Sequence, residues 1–202
     1  MRKTLLTALL LMAVATAAPA ASPGDPEWPC QRRKVPTLTP GLMWSGPQIS
    51  DQIRQFEEDR ALHDLAARLA LRRIPLSEAE TMIADYAAGL GPDRNPKLTA
   101  VFYSTFALIN HERGAIISGI TRYAKKQTAL STAIETKRAQ IRALSAAANP
   151  DLDKLEELQD TLTWDERIFK ERSQSLRYVC ETPVILEKRI FAIARALQSH
   201  MQ

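Results

Sequence analysis

Apolar residues recur at alternating steps of three and four along most of the second half of the chain. This spacing places side chains on one face of an α-helix and predicts long helices over about 96–147 and 150–199, separated by Asn149-Pro150. In the first helix the apolar positions are Phe102, Phe106, Ile109, Ile116, Ile120, Tyr123, Leu130, Ile134, Ile141 and Leu144, interrupted only by Arg113, Gln127 and Lys137. Two such helices joined by a turn of two or three residues fold back as an antiparallel, coiled-coil-like hairpin.

Two shorter helices are predicted ahead of the hairpin, over about 50–73 and 77–88. Helical spacing of apolar residues marks the first, and Ser77 with Glu80 has the spacing of a capping box for the second. The basal half of the hairpin carries more apolar residues than one seam can bury, so we expect the short helices to cover it. The fold class is therefore all-α, with residues 49–202 as one helical domain.

The seam of the hairpin is predicted to change character along its length. Around residues 126–172 the hairpin should project from the base as two helices alone. A symmetrical turn places Lys137 near Asp160 and Gln127 near Arg172, so polar residues would meet inside the seam and fix its register. Pro183 should kink or interrupt the second long helix.

Residues 21–48 differ from everything that follows. Between residues 22 and 47 the chain has six prolines: Pro23, Pro26, Pro29, Pro36, Pro40 and Pro47. Each proline removes a backbone donor and restricts the residue before it. We therefore predict an extended N-terminal arm.

The first 20 residues have the composition of a secretory signal peptide. Arg2 and Lys3 precede an apolar run, and Ala18-Pro19-Ala20 supplies small residues at a cleavage position. The run is too short for a membrane span, so we expect a periplasmic or secreted protein with no integral membrane segment after cleavage.

Charge adds little to the functional picture. The chain has 27 Lys and Arg and 23 Asp and Glu, and loss of Arg2 and Lys3 would reduce its net charge from +4 to +2. This balance does not indicate a nucleic-acid-binding surface.

The chain has two cysteines, Cys30 and Cys180. In an exported protein an even number of cysteines favours a disulfide, which here would clamp the arm along the base. Two separate thiols are the alternative.

Motifs for catalysis, metal binding and cofactor binding are not found in the sequence, so we predict a protein that is not an enzyme and has no cofactor. Only three histidines are present, and no Glu-x-x-His, His-Glu-x-x-His, phosphate loop or dinucleotide fingerprint occurs. His111, Glu112 and Arg113 form the densest polar group of the long helices. They are interpreted either as a solvated face or as part of a binding site.

The three tryptophans are the remaining candidates for binding. Trp164 falls off the apolar face on the projecting part of the hairpin, where it either packs sideways on a neighbour or contacts a partner. Trp28 and Trp44 lie in the arm and could line a pocket with Phe191.

Two functional hypotheses follow. The first is a non-enzymatic adaptor or chaperone-like protein of the cell envelope whose hairpin binds another envelope protein or a second copy of itself. The alternative is a small-ligand-binding or enzyme-accessory module with a pocket between arm and base. In outline the paired helices are similar to those of the Skp-type periplasmic chaperones, although no motif is shared.

Overall fold

The computed structural model describes residues 27–50, 55–56 and 58–202. Four α-helices lie in this part of the chain: α1 (Arg60–Ala70), α2 (Leu76–Ala88), α3 (Arg94–Ser145) and α4 (Leu152–Ser199). Within the same residues there is no strand, which confirms the all-α class. The predicted signal peptide and residues 21–26 of the arm lie outside the described residues.

The first helix is shorter than predicted. It begins at Arg60 rather than near residue 50, because Asp59 adopts an extended backbone and its side chain accepts a hydrogen bond from the Leu62 amide at 3.1 Å. Residues 55, 56 and 58 form turns, whereas 51–54 and 57 lie outside the described residues. The helix ends at Ala70, three residues before the predicted end.

The second helix begins after a proline, without the predicted capping box. Pro75 occupies the position that caps the helix, no side chain caps the first turn, and Ser77 lies inside the helix. The predicted capping box is therefore wrong. The φ of proline is already suited to a helix start, so a side-chain cap is not required.

The two long helices form the predicted antiparallel hairpin, with 52 residues in α3 and 48 in α4. The connection from Ala146 to Asp151 is longer than predicted, and the Asp151 side chain caps α4 by accepting from the Lys154 amide at 3.0 Å. Pro183 does not interrupt α4. It is buried in the base, where packing offsets the backbone hydrogen bond that proline cannot make.

The core lies where the short helices pack on the base of the hairpin. Its fully buried side chains come from all four helices: Leu62, Leu69, Ile83, Leu98, Phe102, Ile109, Leu186, Ile190, Ile193 and Leu197. Arg189 is also buried, and it donates to the carbonyl oxygens of Leu69 at 2.7 Å and Ile74 at 2.8 Å. It thereby fastens the end of α1 to α4, while burial lowers its pKa.

The projecting part of the hairpin has a polar seam. Lys137 pairs with Asp165 rather than with the predicted Asp160, and Arg138 lies 2.7 Å from Glu166. Gln127 donates to the carbonyl of Phe169 and the hydroxyl of Ser173 instead of meeting Arg172. The register of the two helices therefore differs from the one that a symmetrical turn predicts.

The Asp59 carboxylate should make stability depend on pH. Hydrogen bonds from Lys97, at 3.0 Å, and from the Leu62 amide lower its pKa below 3.8. Its stabilising effect is complete above pH 3.8 and is lost as the pH falls through the lowered pKa. Asp59→Asn retains a capping side chain but loses the charge, so we expect it to lower the free energy of unfolding by about 0.5–1 kcal/mol at pH 7.

Urea denaturation between pH 7 and pH 2 measures this effect, because the native protein and Asp59→Asn should converge at the acid end. Asp64→Asn removes an equal charge from the exposed face of α1 and serves as the control. A difference between the native protein and Asp59→Asn that is constant with pH would contradict the assignment.

Candidate functional site

The arm runs along the hairpin antiparallel to α3. Successive arm residues contact α3 at decreasing residue numbers, with Cys30 bound to Cys180 of α4 near the start of the series. The contacts on α3 are Glu27 with Lys125, Val35 with Arg113, Leu38 with Asn110 and Trp44 with Phe102. The arm is therefore fixed at intervals along its described length.

The disulfide is the covalent attachment of the arm. Cys30 and Cys180 are bonded, as predicted, and are separated by 150 residues in the sequence. The alternative of two separate thiols is thus excluded in this structure. In the chain-entropy model, closing a loop of this size stabilises the folded state by at most about 5 kcal/mol.

Trp44 belongs to the core rather than to an open binding site. Its ring stacks on Phe102 with centroids 4.2 Å apart and planes at 7°, and its indole N–H donates to the carbonyl of Pro47 at 2.8 Å. Gly46 lies against this ring, and a Cβ at that position would be 2.6 Å from it. Both residues thus shape a tight turn of the arm over the base.

Trp28 lies at the other end of the described arm. Its indole N–H donates to the carbonyl of Arg32 at 2.6 Å, and the ammonium of Lys34 is 5.7 Å from its ring centroid. The α3 residues that meet the two ends of the arm are 23 positions apart, or about 35 Å along a helix. Trp28 and Trp44 therefore cannot line one pocket with Phe191, and that version of the alternative hypothesis is wrong.

Arg113 is a buried attachment point for the arm. Its guanidinium donates to the carbonyl of Val35 and lies 3.6 Å from the Glu187 carboxylate of α4. Burial lowers the pKa of Arg113, and Glu187 opposes that change. The side chain joins three parts of the molecule, so its geometry suits a structural role rather than ligand capture.

His111 lies two residues before Arg113, on the exposed face of α3, and borders an open cavity. The cavity lies between the arm and α3 and has a volume of about 610 Å³. It is lined by Lys34, Pro36, Thr37, Asn110, His111, Gly114, Ala115, Ile117, Ser118, Thr121, Arg122 and Lys125. We call it the arm cavity. Among these residues only His111 was a candidate from the sequence, because helical spacing alone does not reveal which face the arm covers.

Trp164 stands on the projecting part of α4 with 60 % of its surface exposed. The neighbouring helix therefore does not bury it, and sideways packing on α3 accounts for only a minor part of its surface. Leu152, at the start of the same helix, is also exposed. Trp164 and Leu152 are thus two large apolar side chains that the outer hairpin exposes to solvent.

An apolar groove lies between α3 and α4 near the middle of the hairpin. It encloses about 310 Å³ and is lined by Ile116, Gly119, Ile120, Tyr123, Ser175, Leu176 and Val179. Tyr178 stands exposed next to Val179 in the sequence. This groove is distinct from the arm cavity, which uses other positions of α3.

Neither a metal site nor a known relative adds to this picture. Across residues 27–50, 55–56 and 58–202, no three His, Cys, Asp or Glu side chains are grouped so that they could hold a metal ion. No helix in that part of the chain combines the length and the apolar character needed to cross a membrane. Comparison with protein-family models, curated proteins and solved structures finds no match.

Removal of the disulfide should loosen the arm more than the helices. In the double variant Cys30→Ser, Cys180→Ser we expect the Leu38 amide, which donates to Asn110 at 3.0 Å, to exchange with solvent at least tenfold faster. The Phe102 amide, inside α3, is the internal reference. Equal acceleration at both amides, measured by hydrogen exchange, would show that the arm and core open together and contradict a local role.

Truncation of the two arm tryptophans should have unequal effects. Trp44→Ala removes a buried ring from the core, so we expect a loss of about 3–5 kcal/mol in the free energy of unfolding. Trp28→Ala removes a partly exposed ring and should cost less than about 1 kcal/mol. Chemical denaturation of both variants measures the difference, and equal losses would contradict the placement of Trp44 in the core.

Proposed function

We propose that this chain is an exported, non-enzymatic protein of the cell envelope that binds another protein through its projecting hairpin. The Cys30–Cys180 disulfide supports export, because such bonds persist in oxidising compartments. The composition of residues 1–20 supports it independently. Adaptor and chaperone-like roles both fit a partner of this kind.

The observation that carries the proposal is the contrast between the base and the projection. In the base all four helices share a core, whereas between residues 135 and 182 no described side chain is buried. The last 11 residues of α3 and the first 31 residues of α4 thus extend without a buried side chain. Because most helical stability in proteins comes from tertiary packing, an extension with so little burial supports a role in contacting a partner.

The two helices of the outer hairpin are nevertheless held in a fixed arrangement before any partner binds. Ion pairs of Lys137 with Asp165 and of Arg138 with Glu166 join its two helices across the seam. A surface whose geometry is fixed before association loses less conformational entropy on binding. Trp164 provides an exposed aromatic side chain of the type that contributes most to protein interfaces.

Self-association through the hairpin is the second form of this proposal. The apolar groove lined by Ile116, Tyr123 and Val179 favours it, since a second helix could bury its side chains there. Equilibrium sedimentation separates the two forms: a concentration-dependent dimer supports self-association, and a monomer at all concentrations supports a different partner.

Site-specific photo-crosslinking in the native envelope tests the proposal. A crosslinking residue at position 164 should give a discrete adduct, because the projection is the proposed contact surface. The same residue at position 191, an exposed aromatic position of the base, is the control. Trp164→Ala should weaken the isolated complex at least tenfold, as expected for an interface hot spot, whereas Phe191→Ala should leave it unchanged.

A variant with a shortened hairpin provides a second test of the proposal. Deletion of residues 132–145 and 153–166 removes about four helical turns from each helix, including Trp164, and leaves the connection and the base in place. We expect the shortened protein to lose the complex while the thermal unfolding of the base persists. Recovery of the same complex with the shortened protein would reject the projecting hairpin as the contact surface.

A further inference from the structure

The arm cavity has a charge pattern that the protein-binding role does not explain. Lys34 approaches it from the arm, and Arg122 and Lys125 approach it from α3. Its twelve lining residues include no carboxylate. One acidic group, Glu27, pairs with Lys125 at 3.0 Å from outside the lining, and Arg122 has no carboxylate partner among the described residues.

Three cations, Lys34, Arg122 and Lys125, thus stand in a lining without a carboxylate. The total charge of the protein is only +4. A concave surface lined by charges of one sign concentrates ions of the opposite sign.

The hydrogen-bonding groups of the cavity also suit an anion. Asn110 accepts the Leu38 amide proton through Oδ1, which assigns its amide nitrogen as a remaining donor. The hydroxyl groups of Thr37 and Ser118 are further donors in the lining. Arginine in particular can hold two oxygens of a phosphate group in parallel.

The cavity is formed before any ligand arrives. The disulfide at Cys30 and the bond from the Trp28 indole to Arg32 hold the arm on one side of Lys34. On the other side, Arg113 binds the carbonyl of Val35 and Asn110 binds the amide of Leu38. A ligand would therefore not have to order the arm, which lowers the entropic cost of binding.

We propose that the arm cavity binds a phosphate group, carried either by a small soluble phosphomonoester or by a lipid headgroup. Pro36, Ala115 and Ile117 give it an apolar floor beside the cations, which can accept the organic part of such a ligand. The volume of about 610 Å³ is sufficient for a small molecule. This inference does not depend on the proposed role of the hairpin.

Titration of the disulfide-bonded protein with inorganic phosphate and with glycerol 3-phosphate tests the proposal. Amide NMR shifts, recorded at constant ionic strength in 150 mM NaCl, report the site of binding. We expect saturable shifts at Ser118, Thr121 and Arg122, and tighter binding of the phosphomonoester. Arg122→Gln should weaken binding about tenfold, the expected loss for a partly exposed hydrogen bond to a charged group.

Arg142→Gln is the matched control, because it removes the same charge from an exposed position of α3 beyond the cavity. Equal weakening by Arg142→Gln and Arg122→Gln would overturn the proposal, since binding would then follow the net charge alone. Absence of saturable binding by both soluble probes and by vesicles would overturn it as well. Thermal unfolding of the two variants confirms that each remains folded.

Vesicles distinguish the source of the phosphate. Phosphatidylglycerol vesicles that bind the native protein but bind Arg122→Gln about tenfold more weakly would assign the site to a lipid headgroup. Binding to glycerol 3-phosphate without binding to these vesicles would assign it to a soluble ligand. Phosphatidylcholine vesicles, which carry no net charge, control for apolar adsorption.

Discussion

The structure depends on a geometrical limit of paired helices: two helices can bury side chains only along the narrow strip where they face each other. Wherever α3 and α4 carry more apolar surface than this strip covers, other segments pack on them. The helices α1 and α2 cover one part of the base, and the turn of the arm at Trp44 covers another. Where the apolar excess ends, the covering segments end too, and the hairpin continues alone.

Polar side chains connect the covering segments to the long helices. Arg189 binds the carbonyl oxygens at the end of α1, Arg113 binds the arm, and Asp59 joins the start of α1 to Lys97 of α3. Each of these contacts connects elements that are distant in sequence. Removal of one partner would leave the other buried or half-buried without its bond, which costs more than the bond itself contributes. The positions of the covering segments are thereby specified as well as stabilised.

The sequence was sufficient to predict the helices, the hairpin and the disulfide, because apolar spacing and an even cysteine count carry that information locally. Predictions of boundaries and register were less successful. The capping by Asp59 and the length of the connection before Asp151 depend on side-chain contacts that spacing does not encode. His111 was identified as a candidate from the sequence. Its neighbours Lys34 and Arg122 in the arm cavity were not identified. The path of the arm brings these residues together, and that path is a tertiary property.

The bond between Cys30 and Cys180 has a topological consequence. Residues 30–180 form a closed covalent ring that contains the whole of α1, α2 and α3 and the tip of the hairpin. A protease that cut the exposed connection from Ala146 to Asp151 would open this ring without dividing the molecule. This exposed connection can thus be cut while both halves of the chain stay covalently joined.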